Sequence, residues 1–353
     1  MPPFKPPLTA VALSGGVDSA VAALRLQAAG TPLVALHFLT GHEAEAGPAT
    51  PLARARRICH RLGIDLQVVD CRDAFRRQVV APFADAYRRG LTPNPCARCN
   101  PLIKFGPVLD HALSLGARRL ATGHYARRVR DTQGRVHLLR GADPVKDQSY
   151  FLARLTPAQL QRALFPLGNW HKHEVVRAGQ AAGLGEFQGR ESQDVCFVRQ
   201  ESYAAFLSAT GWIQPRPGPI VDLQGRVLGR HDGLHRFTVG QRRGINCPGP
   251  LPYYVVRLEP EADRLVVGFK SDLMAAGCRI VQINWLQPPP APRFAVQVRL
   301  RYRSPACTAG LQMDDRGATL RFDQPQMAVT PGQSAVLYQD QEVLGAGWID
   351  AIL

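Results

Sequence analysis

The sequence predicts the α/β fold class: a domain with a parallel sheet, followed by a small central β-rich domain and a C-terminal β-barrel. Apolar segments with the periods of strands and helices alternate through the first half, an order typical of a parallel sheet with helices on both faces. After about Gly211, prolines and glycines become frequent and short alternating segments replace the helices. The prolines at 288–290 mark a second boundary. We therefore expect three domains, at residues 1–208, 209–283 and 284–353.

The individual elements follow from these periods. Strands are predicted at 8–13, 32–39, 66–69 and 119–122, and helices at 17–26, 51–62, 73–89 and 101–115. A hairpin is expected over 125–139, three helices at 148–155, 157–164 and 172–182, and a loop over 183–193. In the second half, the predicted strands are 220–221, 227–228, 253–258 and 265–269 in a small β module, and 294–302, 319–322, 335–338 and 348–352 in the barrel.

The composition indicates a globular protein with a polyanionic partner. The 353 residues are 45% hydrophobic and 20% charged, with a net charge of +15 and a pI near 10.0. A balance this basic favours nucleic-acid binding. No apolar run is long enough to span a bilayer and the N-terminus lacks a signal peptide's apolar core, so we expect a cytoplasmic protein. The eight cysteines are therefore not expected to form a disulfide framework.

The loop at 14–19, Ser-Gly-Gly-Val-Asp-Ser, joins the first predicted strand to the first helix. Glycines allow close backbone approach, and the helix N-terminus offers N–H groups to an anion. Asp18 adds a carboxylate suited to a metal ion beside phosphate. The loop lacks the Gly-Lys-Ser/Thr of a Walker loop and the spaced glycines of a dinucleotide fold. It resembles the PP-loop of ATP pyrophosphatases (adenine nucleotide alpha hydrolase-like), which leave AMP on a substrate oxygen. The alternative is a glycine-rich turn with a serine cap.

Two stretches contain cysteines in loop motifs. Cys96 and Cys99 follow two prolines and are expected to open a helix, whose N-terminus, with Arg98 and Lys104, would favour the thiolate. This pattern favours a reactive pair over two core cysteines. Cys196 lies in the stretch 191–198 before a short apolar segment. A cysteine there is usually a core residue, and it gains importance only if the fold brings it to the first pair.

Polar residues at the end of the fourth predicted strand lie at the same sheet edge as the 14–19 loop. Gly123 would allow close approach to a nucleotide, and His124 could contact substrate or be hydrogen-bonded in a turn. Further on, Lys146, Asp147 and Gln148 precede Ser-Tyr-Phe-Leu. They suit a base or phosphate contact, or alternatively a helix cap.

Arginines recur late in the chain. Arg299, Arg301 and Arg303 alternate along a predicted strand, with Tyr302 between the last two. On one strand face they would form a basic stripe for backbone phosphates. The alternative is a solvated strand face.

Together these motifs resemble one family, the tRNA-uridine 2-sulfurtransferases (2-thiouridylases of the MnmA/TrmU type), through nearly the whole chain. The motifs are SGGVDS at 14–19, TPNPCARCN at 92–100 followed by IKF at 103–105, ATGHY at 121–125, KDQSYFL at 146–152, CF at 196–197, FTVGQRRG at 237–244 and PGQSAV at 331–336. The resemblance implies a PP-loop domain, a small central domain, a C-terminal β-barrel and tRNA as the partner. It also implies a sulfur-donor or persulfide relay protein, and we expect a monomer.

The resemblance further implies a reaction and its residues. ATP and Mg²⁺ would serve to adenylate O2 of the wobble uridine, and a persulfide would replace AMP by sulfur at C2. Cys196 matches the persulfide carrier, and Cys99 matches the partner thiol that forms a transient disulfide with it. Matches to ATP-binding positions are Ala12, Leu13, Ser14, Gly15, Gly16, Val17, Asp18, Ser19, Phe38 and Gly123; to the target-base loop, Asn94, Pro95 and Cys96; and to tRNA-binding positions, His124, Lys146, Asp147, Gln148, Arg301, Tyr302 and Gln333.

One departure from the family pattern leaves the sulfur carrier open. Some members have Asp where this chain has Cys96, and that Asp has been viewed as a general acid or base. Cys96, Cys99 and Cys196 could instead ligate a [4Fe-4S] cluster with one open iron, which would carry the sulfur.

Two other functions are compatible with some of these motifs. One is a PP-loop enzyme that adenylates a small molecule, against which the basic composition and paired thiols argue. The other is a tRNA-binding or sulfur-carrier module without ATP chemistry, against which the intact 14–19 loop argues.

Overall fold

The structure is a computed structural model that describes residues 6–43, 47, 49–187, 195–198 and 202–353. The chain divides into two compact units. The first is drawn from Met1–Gln78, Cys96–Phe197 and Gln341–Leu344, and the second from Val79–Pro95, Val198–Asp340 and Gly345–Leu353. Part of the predicted 183–193 loop, from 188 onward, lies outside the described residues.

The first unit contains the predicted parallel sheet. Its strands are β1 (Thr9–Ala12), β2 (Leu33–Leu39), β3 (Leu66–Asp70), β4 (Arg119–Ala121) and β7 (Ala163–Leu164). They lie in the order β3-β2-β1-β4-β7, and all four pairings are parallel. β1 is therefore the central strand, and its carboxyl end opens between those of β2 and β4, the usual place for a ligand in such sheets.

Helices α1 (Val17–Ala28) and α2 (Pro51–Leu62) have the predicted positions. Thr50 caps α2 by accepting a hydrogen bond from the Ala53 N–H at 3.2 Å, and Gly63 ends it in the left-handed conformation. Buried Leu13 and Ile58 pack in one core with the β1 and β2 side chains. This packing holds the β1–α1 connection against the sheet.

Two longer helical stretches contain irregular segments. The first runs through α3 (Arg72–Phe75), a π-helical segment and α4 (Ala81–Arg88). The second runs through α5 (Pro95–Cys99), a π-helical segment and α6 (Leu109–Ser114). A non-helical Gly106, before Pro107, kinks the second stretch. It begins at Pro95, so Cys96 and Cys99 lie in its first turns, as expected from the Cys-x-x-Cys motif, whereas the helix predicted from residue 101 is only its continuation.

The remaining elements of the first unit are short. β5 (Ala126–Arg130) and β6 (Val136–Arg140) form the predicted hairpin. They are followed by α7 (Ser149–Leu152), α8 (Pro157–Arg162) and α9 (Lys172–Ala181). The predicted helix at 157–164 is wrong at its end, because Ala163 and Leu164 leave α8 and pair with β4.

The second unit contains α10 (Tyr203–Ala209) and two β structures. A four-stranded sheet has the order β10-β11-β8-β9. Its strands are β8 (Gly218–Val221), β9 (Val227–His231), β10 (Tyr254–Glu259) and β11 (Arg264–Gly268). Leu265 and Val267 are fully buried in its core. These are the four strands predicted for the small β module.

The other β structure is a six-stranded barrel, closed by the pairing of β12 with β17. Its strands are β12 (Met274–Trp285), β13 (Arg293–Arg299), β14 (Cys307–Asp314), β15 (Gly317–Met327), β16 (Ser334–Gln339) and β17 (Glu342–Ile352). The prediction missed β12 and β14. No helix in the described part of the chain is long and apolar enough to cross a membrane.

Candidate active site

The 14–19 loop connects β1 to α1 at the carboxyl end of the sheet. The Ser14 N–H donates to the Ser19 hydroxyl at 3.2 Å, and that hydroxyl donates to the Gly16 carbonyl at 2.9 Å. Gly15 has φ +80, and a Cβ there would lie 2.5 Å from the Pro51 carbonyl oxygen. The loop thus requires glycine at this position and is closed by its own serines.

The N-terminus of α1 carries no side-chain cap. Gly16 is the N-cap residue, and it provides no capping hydrogen bond. Within the described part of the chain, no N-cap side chain occupies the first N–H groups of this 12-residue helix, which favours an anion at the loop.

The carboxylate of Asp18 already has protein partners. The Lys172 ammonium donates to its two oxygens at 2.6 and 2.8 Å. The Tyr125 hydroxyl donates to one of the same oxygens at 2.8 Å. Lys172 was not among the predicted site residues, since 154 positions separate it from Asp18 and no local pattern relates them.

Gly123 lies against the loop. A Cβ on this residue would be 2.8 Å from the Ser19 nitrogen and 2.9 Å from the Asp18 carbonyl carbon. The observed close approach is therefore to the backbone at the start of α1. Phe38 lies near the end of β2 and is partly exposed. Contact of either residue with a nucleotide stays a prediction.

His124 is hydrogen-bonded within the ATGHY turn. Its Nδ1 lies 2.7 Å from the Thr122 hydroxyl and its Nε2 lies 3.4 Å from the Lys104 ammonium. Burial, with a smaller contribution from Lys104, lowers the pKa of His124 well below its usual value of 6.5. The imidazole is neutral near pH 7 and suited to accept a hydrogen bond from Lys104.

Cys96 and Cys99 lie on α5, with Cys99 buried and Cys96 partly exposed. Burial raises the pKa of Cys96 to about 11 and that of Cys99 to about 12. The expectation of a lowered thiol pKa is therefore wrong for this conformation, because burial outweighs Lys104, which acts in the opposite direction. The guanidinium of Arg98 points elsewhere and donates to the Gln78 carbonyl at 3.4 Å.

Cys196 is exposed, whereas its neighbour Phe197 is buried. The Phe197 ring packs on Phe75, with centroids 5.6 Å apart. Desolvation by the surrounding atoms raises the pKa of Cys196. The positive charge of Lys104 acts in the opposite direction and lowers this pKa. Residues 191–194 of the predicted stretch lie outside the described part.

The fold places Cys196 within electrostatic range of both Cys96 and Cys99. The charges that would form on Cys96 and Cys99 each interact with that of Cys196, and Cys99 also interacts with buried Cys71. The sequence analysis did not single out Cys71. Among the described residues, no group of three or more His, Cys, Asp or Glu side chains is arranged to hold a metal ion.

Family models match three consecutive parts of the chain. They are described as a tRNA methyl transferase HUP domain at residues 8–200, a tRNA methyl transferase PRC-barrel domain at 205–269 and an aminomethyltransferase beta-barrel domain at 275–349. The parallel sheet and the four-stranded sheet lie in the first two ranges, and the third range covers the barrel except for the first residue of β12 and the last three of β17.

Curated relatives match over nearly the full chain. The tRNA-specific 2-thiouridylase MnmA of Desulfosudis oleivorans is 47% identical over 98% of this chain and 95% of its own length. The chain belongs to the MnmA family of tRNA-specific 2-thiouridylases. MnmA of Acidithiobacillus ferrooxidans is 45% identical over 96% of this chain and 97% of its own length.

A solved 4-thiouridine synthetase–RNA complex with bound ATP is also similar, at 18% identity, with 54% of this chain and 45% of that chain covered and a TM-score of 0.36.

In this MnmA-family chain, two predicted tRNA-binding residues hold the hairpin region together. Asp147 is buried, and its Oδ1 accepts hydrogen bonds from the Gly141 and Ser149 N–H groups, each at 3.0 Å. Gln148 accepts one from the Tyr125 N–H at 3.1 Å. The expected helix cap by Asp147 or Ser149 is wrong, because Gln148 is the N-cap residue of α7 and, within the described residues, no side chain caps it. Asp147 instead stabilises the turn before this helix. Lys146 is partly exposed beside this turn.

Gln333 contacts the predicted target-base loop within the second unit. Its Nε2 donates to the Thr92 carbonyl at 3.0 Å and to the Pro93 carbonyl at 3.3 Å. Asn94 and Pro95, which follow, are buried. The PGQ motif of the barrel therefore supports the backbone before Cys96, a role that sequence reasoning did not anticipate.

The predicted arginine stripe is wrong. β13 ends at Arg299, and residues 301–304 form a turn, so the three arginines do not share a strand face. Arg299 is buried and donates to the Tyr302 and Ser304 carbonyl oxygens. Arg301 donates to the Ala328 carbonyl and to the Thr330 hydroxyl. Burying Arg299 requires these acceptors, and the turn supplies them.

Proposed function

We propose that this chain converts the wobble uridine of tRNA to 2-thiouridine, with ATP as the activating substrate. Support comes from family membership and from the first unit, where an anion-accepting loop and three cysteines lie in one domain. The observation that carries the proposal is that a charge on Cys196 would be felt at both Cys96 and Cys99, because sulfur transfer needs thiols that lie near one another.

In the proposed reaction, O2 of uridine attacks the α-phosphorus of ATP, the α–β phosphoanhydride bond breaks and pyrophosphate leaves. The terminal sulfur of a Cys196 persulfide then attacks C2, and AMP departs with the oxygen. Cys99 attacks the inner sulfur of Cys196, which releases 2-thiouridine and leaves a Cys99–Cys196 disulfide. An external thiol reductant reopens that disulfide.

The raised pKa values of the thiols limit how much thiolate is available for the attack by Cys99. A thiol with a pKa of about 12 carries little thiolate near pH 7, so Cys99 must lose part of its burial before it attacks. We propose that tRNA binding changes its surroundings and that Lys104, which already lowers its pKa, then stabilises the thiolate.

Mg²⁺ fits the loop, since the Asp18 carboxylate is partly exposed and offers hard oxygen ligands. Bound there with ATP, it would neutralise phosphate charge. The [4Fe-4S] alternative finds no fitting ligand group among the described residues.

The remaining parts of the proposal concern partners and organisation. Asn94, Pro95 and Cys96 would contact the target base, and Lys146 and Tyr302 the tRNA. A persulfide relay protein would load Cys196, and the enzyme would act as a monomer in the cytoplasm, where tRNA is modified. The boundaries 1–208, 209–283 and 284–353 stay a prediction.

The test is a thiolation assay on unmodified tRNA with ATP and a persulfide donor. We expect 2-thiouridine by mass spectrometry and pyrophosphate release that depends on tRNA. Equal pyrophosphate release without RNA, with a small acceptor, would favour the rival adenylating enzyme. Anaerobic purification with iron and sulfide analysis separates the two sulfur carriers, since turnover of a cluster-free protein requires no cluster.

A further inference from the structure

Lys172 forms an ion pair at the nucleotide loop that the proposed reaction does not yet use. Its ammonium lies 2.6 Å from Asp18 Oδ1 and 2.8 Å from Asp18 Oδ2, so both carboxylate oxygens are engaged. The two side chains are 20% and 35% exposed, respectively, so the pair lies at the loop surface rather than in the core. A ligand at the loop can therefore reach it.

The position of Lys172 is set by two contacts within the first unit. As the first residue of α9, it donates its backbone N–H to Asp143 Oδ2 at 2.9 Å. Farther along α9, a Cβ on Gly179 would lie 2.8 Å from Val17 Cγ2, so this glycine allows α9 to pack closely on α1. Val17 adjoins Asp18. The same helix packing thus aligns the lysine with the loop.

The chemistry of the ammonium suits phosphate better than a purely structural role. An ammonium is a compact charge with three donors, as at other phosphate sites, whereas a partly exposed ion pair contributes little to stability. The neighbouring N–H groups of α1 favour an anion at the same place. A triphosphate carries several negative charges and competes with one carboxylate for Lys172.

We propose that Lys172 binds the β- and γ-phosphates of ATP and that Asp18 holds its ammonium in place before the nucleotide arrives. This inference rests on the proposed function. When uridine O2 bonds to the α-phosphorus and the α–β bridge breaks, the bonding electrons go to the departing pyrophosphate. Lys172 stabilises that charge by hydrogen bonds and stays protonated throughout.

Equilibrium binding of three ligands tests the proposal without turnover. Calorimetry measures ATP, inorganic pyrophosphate and AMP binding to the wild type, Lys172→Gln, Lys172→Arg and Lys270→Gln. We expect Lys172→Gln to weaken ATP and pyrophosphate by at least about tenfold, through loss of charged hydrogen bonds. AMP, which lacks the β- and γ-phosphates, should bind within about twofold of wild type.

The control variants distinguish loss of a specific phosphate contact from a general loss of positive charge, from misfolding and from failure of the proposed reaction. Lys270→Gln removes one positive charge from the second unit and should bind all three ligands as the wild type does. Lys172→Arg keeps the charge and should retain most pyrophosphate affinity, even if Lys172→Gln folds poorly. Unchanged pyrophosphate affinity in Lys172→Gln, or pyrophosphate affinity lost as fully in Lys172→Arg, overturns the inference. Failure of wild-type tRNA thiolation would instead overturn the proposed function, because nucleotide binding is measured without tRNA.

Discussion

The Nε2 of Gln333 donates to the Thr92 carbonyl oxygen at 3.0 Å, across 241 positions of sequence. The adjoining Gly332 has φ +90, and a Cβ there would lie 2.9 Å from the same oxygen. The Thr92 N–H donates in turn to the Pro331 carbonyl at 2.9 Å. The barrel turn thus sets the backbone that leads into Cys96.

Gln333→Ala should lower the free energy of unfolding by about 1 kcal/mol, because a side-chain hydrogen bond to partly buried carbonyls is lost. Gln333→Glu should cost more, since a carboxylate would face carbonyl oxygens. Chemical denaturation measures both, with exposed Gln339→Ala as the matched control. Equal stability of Gln333→Glu and the wild type would contradict this account.

Cys99→Ser and Cys196→Ser should each abolish thiolation while tRNA affinity stays within about twofold, because a hydroxyl can neither carry nor attack sulfur under these conditions. Product analysis by mass spectrometry and filter binding measure the two effects. Cys247→Ser, in the second unit, is the matched control and should thiolate normally. Thiolation at the wild-type rate by either site variant would remove that cysteine from the mechanism.

Gly123→Ala should weaken ATP binding by about tenfold or more, because the new Cβ would displace the backbone at Ser19, only 2.8 Å away. Calorimetry with ATP measures the change. Gly310→Ala, whose Cβ would meet nothing within 4 Å, is the control and should leave binding unchanged. Normal ATP affinity in Gly123→Ala would show that the loop adapts to the extra methyl group.

The thiol pKa values predict how stability depends on pH. The folded-state pKa of Cys99, about 12, lies above the usual value of 9.0, so the folded state binds the proton more tightly. Its contribution to stability is complete below pH 9.0 and is lost as the pH rises from there towards 12. Denaturation curves should therefore shift less with alkaline pH in Cys99→Ala than in the wild type.

Alkylation rates report the exposure and the thiolate content of each cysteine in the native protein. At pH 7 we expect iodoacetamide to modify exposed Cys196 well before buried Cys99. Addition of tRNA should accelerate modification of Cys99 if binding lowers its burial. Faster labelling of Cys99 than of Cys196 in the free protein would contradict the structure.

Local signals in the sequence predicted much of the fold. Thr50 and Gly63 mark the two ends of α2, because an N-cap hydroxyl and a left-handed glycine act within a few residues. The prediction missed β12 in part because it contains two irregular registers and a left-handed Gln282, which disturb strand alternation. β7 was read as helix since its two residues are defined by pairing with β4 alone.

The site was predicted less completely than the fold. The residues of the 14–19 loop form one local motif, which the sequence displays directly. Lys172 and Gln333 act on partners 154 and 241 positions away, and only the folded chain relates them. The direction of the thiol pKa shifts was predicted wrongly because the burial of Cys99 depends on tertiary packing, which no local motif displays.

Residues 341–344 belong to the first unit, although most of that unit precedes residue 198. Glu342 pairs with Leu139, and its carboxylate accepts a hydrogen bond from His137 Nδ1 at 2.6 Å. During synthesis, the β5–β6 hairpin can therefore complete its pairing only when β17 has left the ribosome, about 200 residues later. Until then, the β6 edge of the nascent first unit would lack its β17 partner, and unpaired strand edges are prone to non-native pairing.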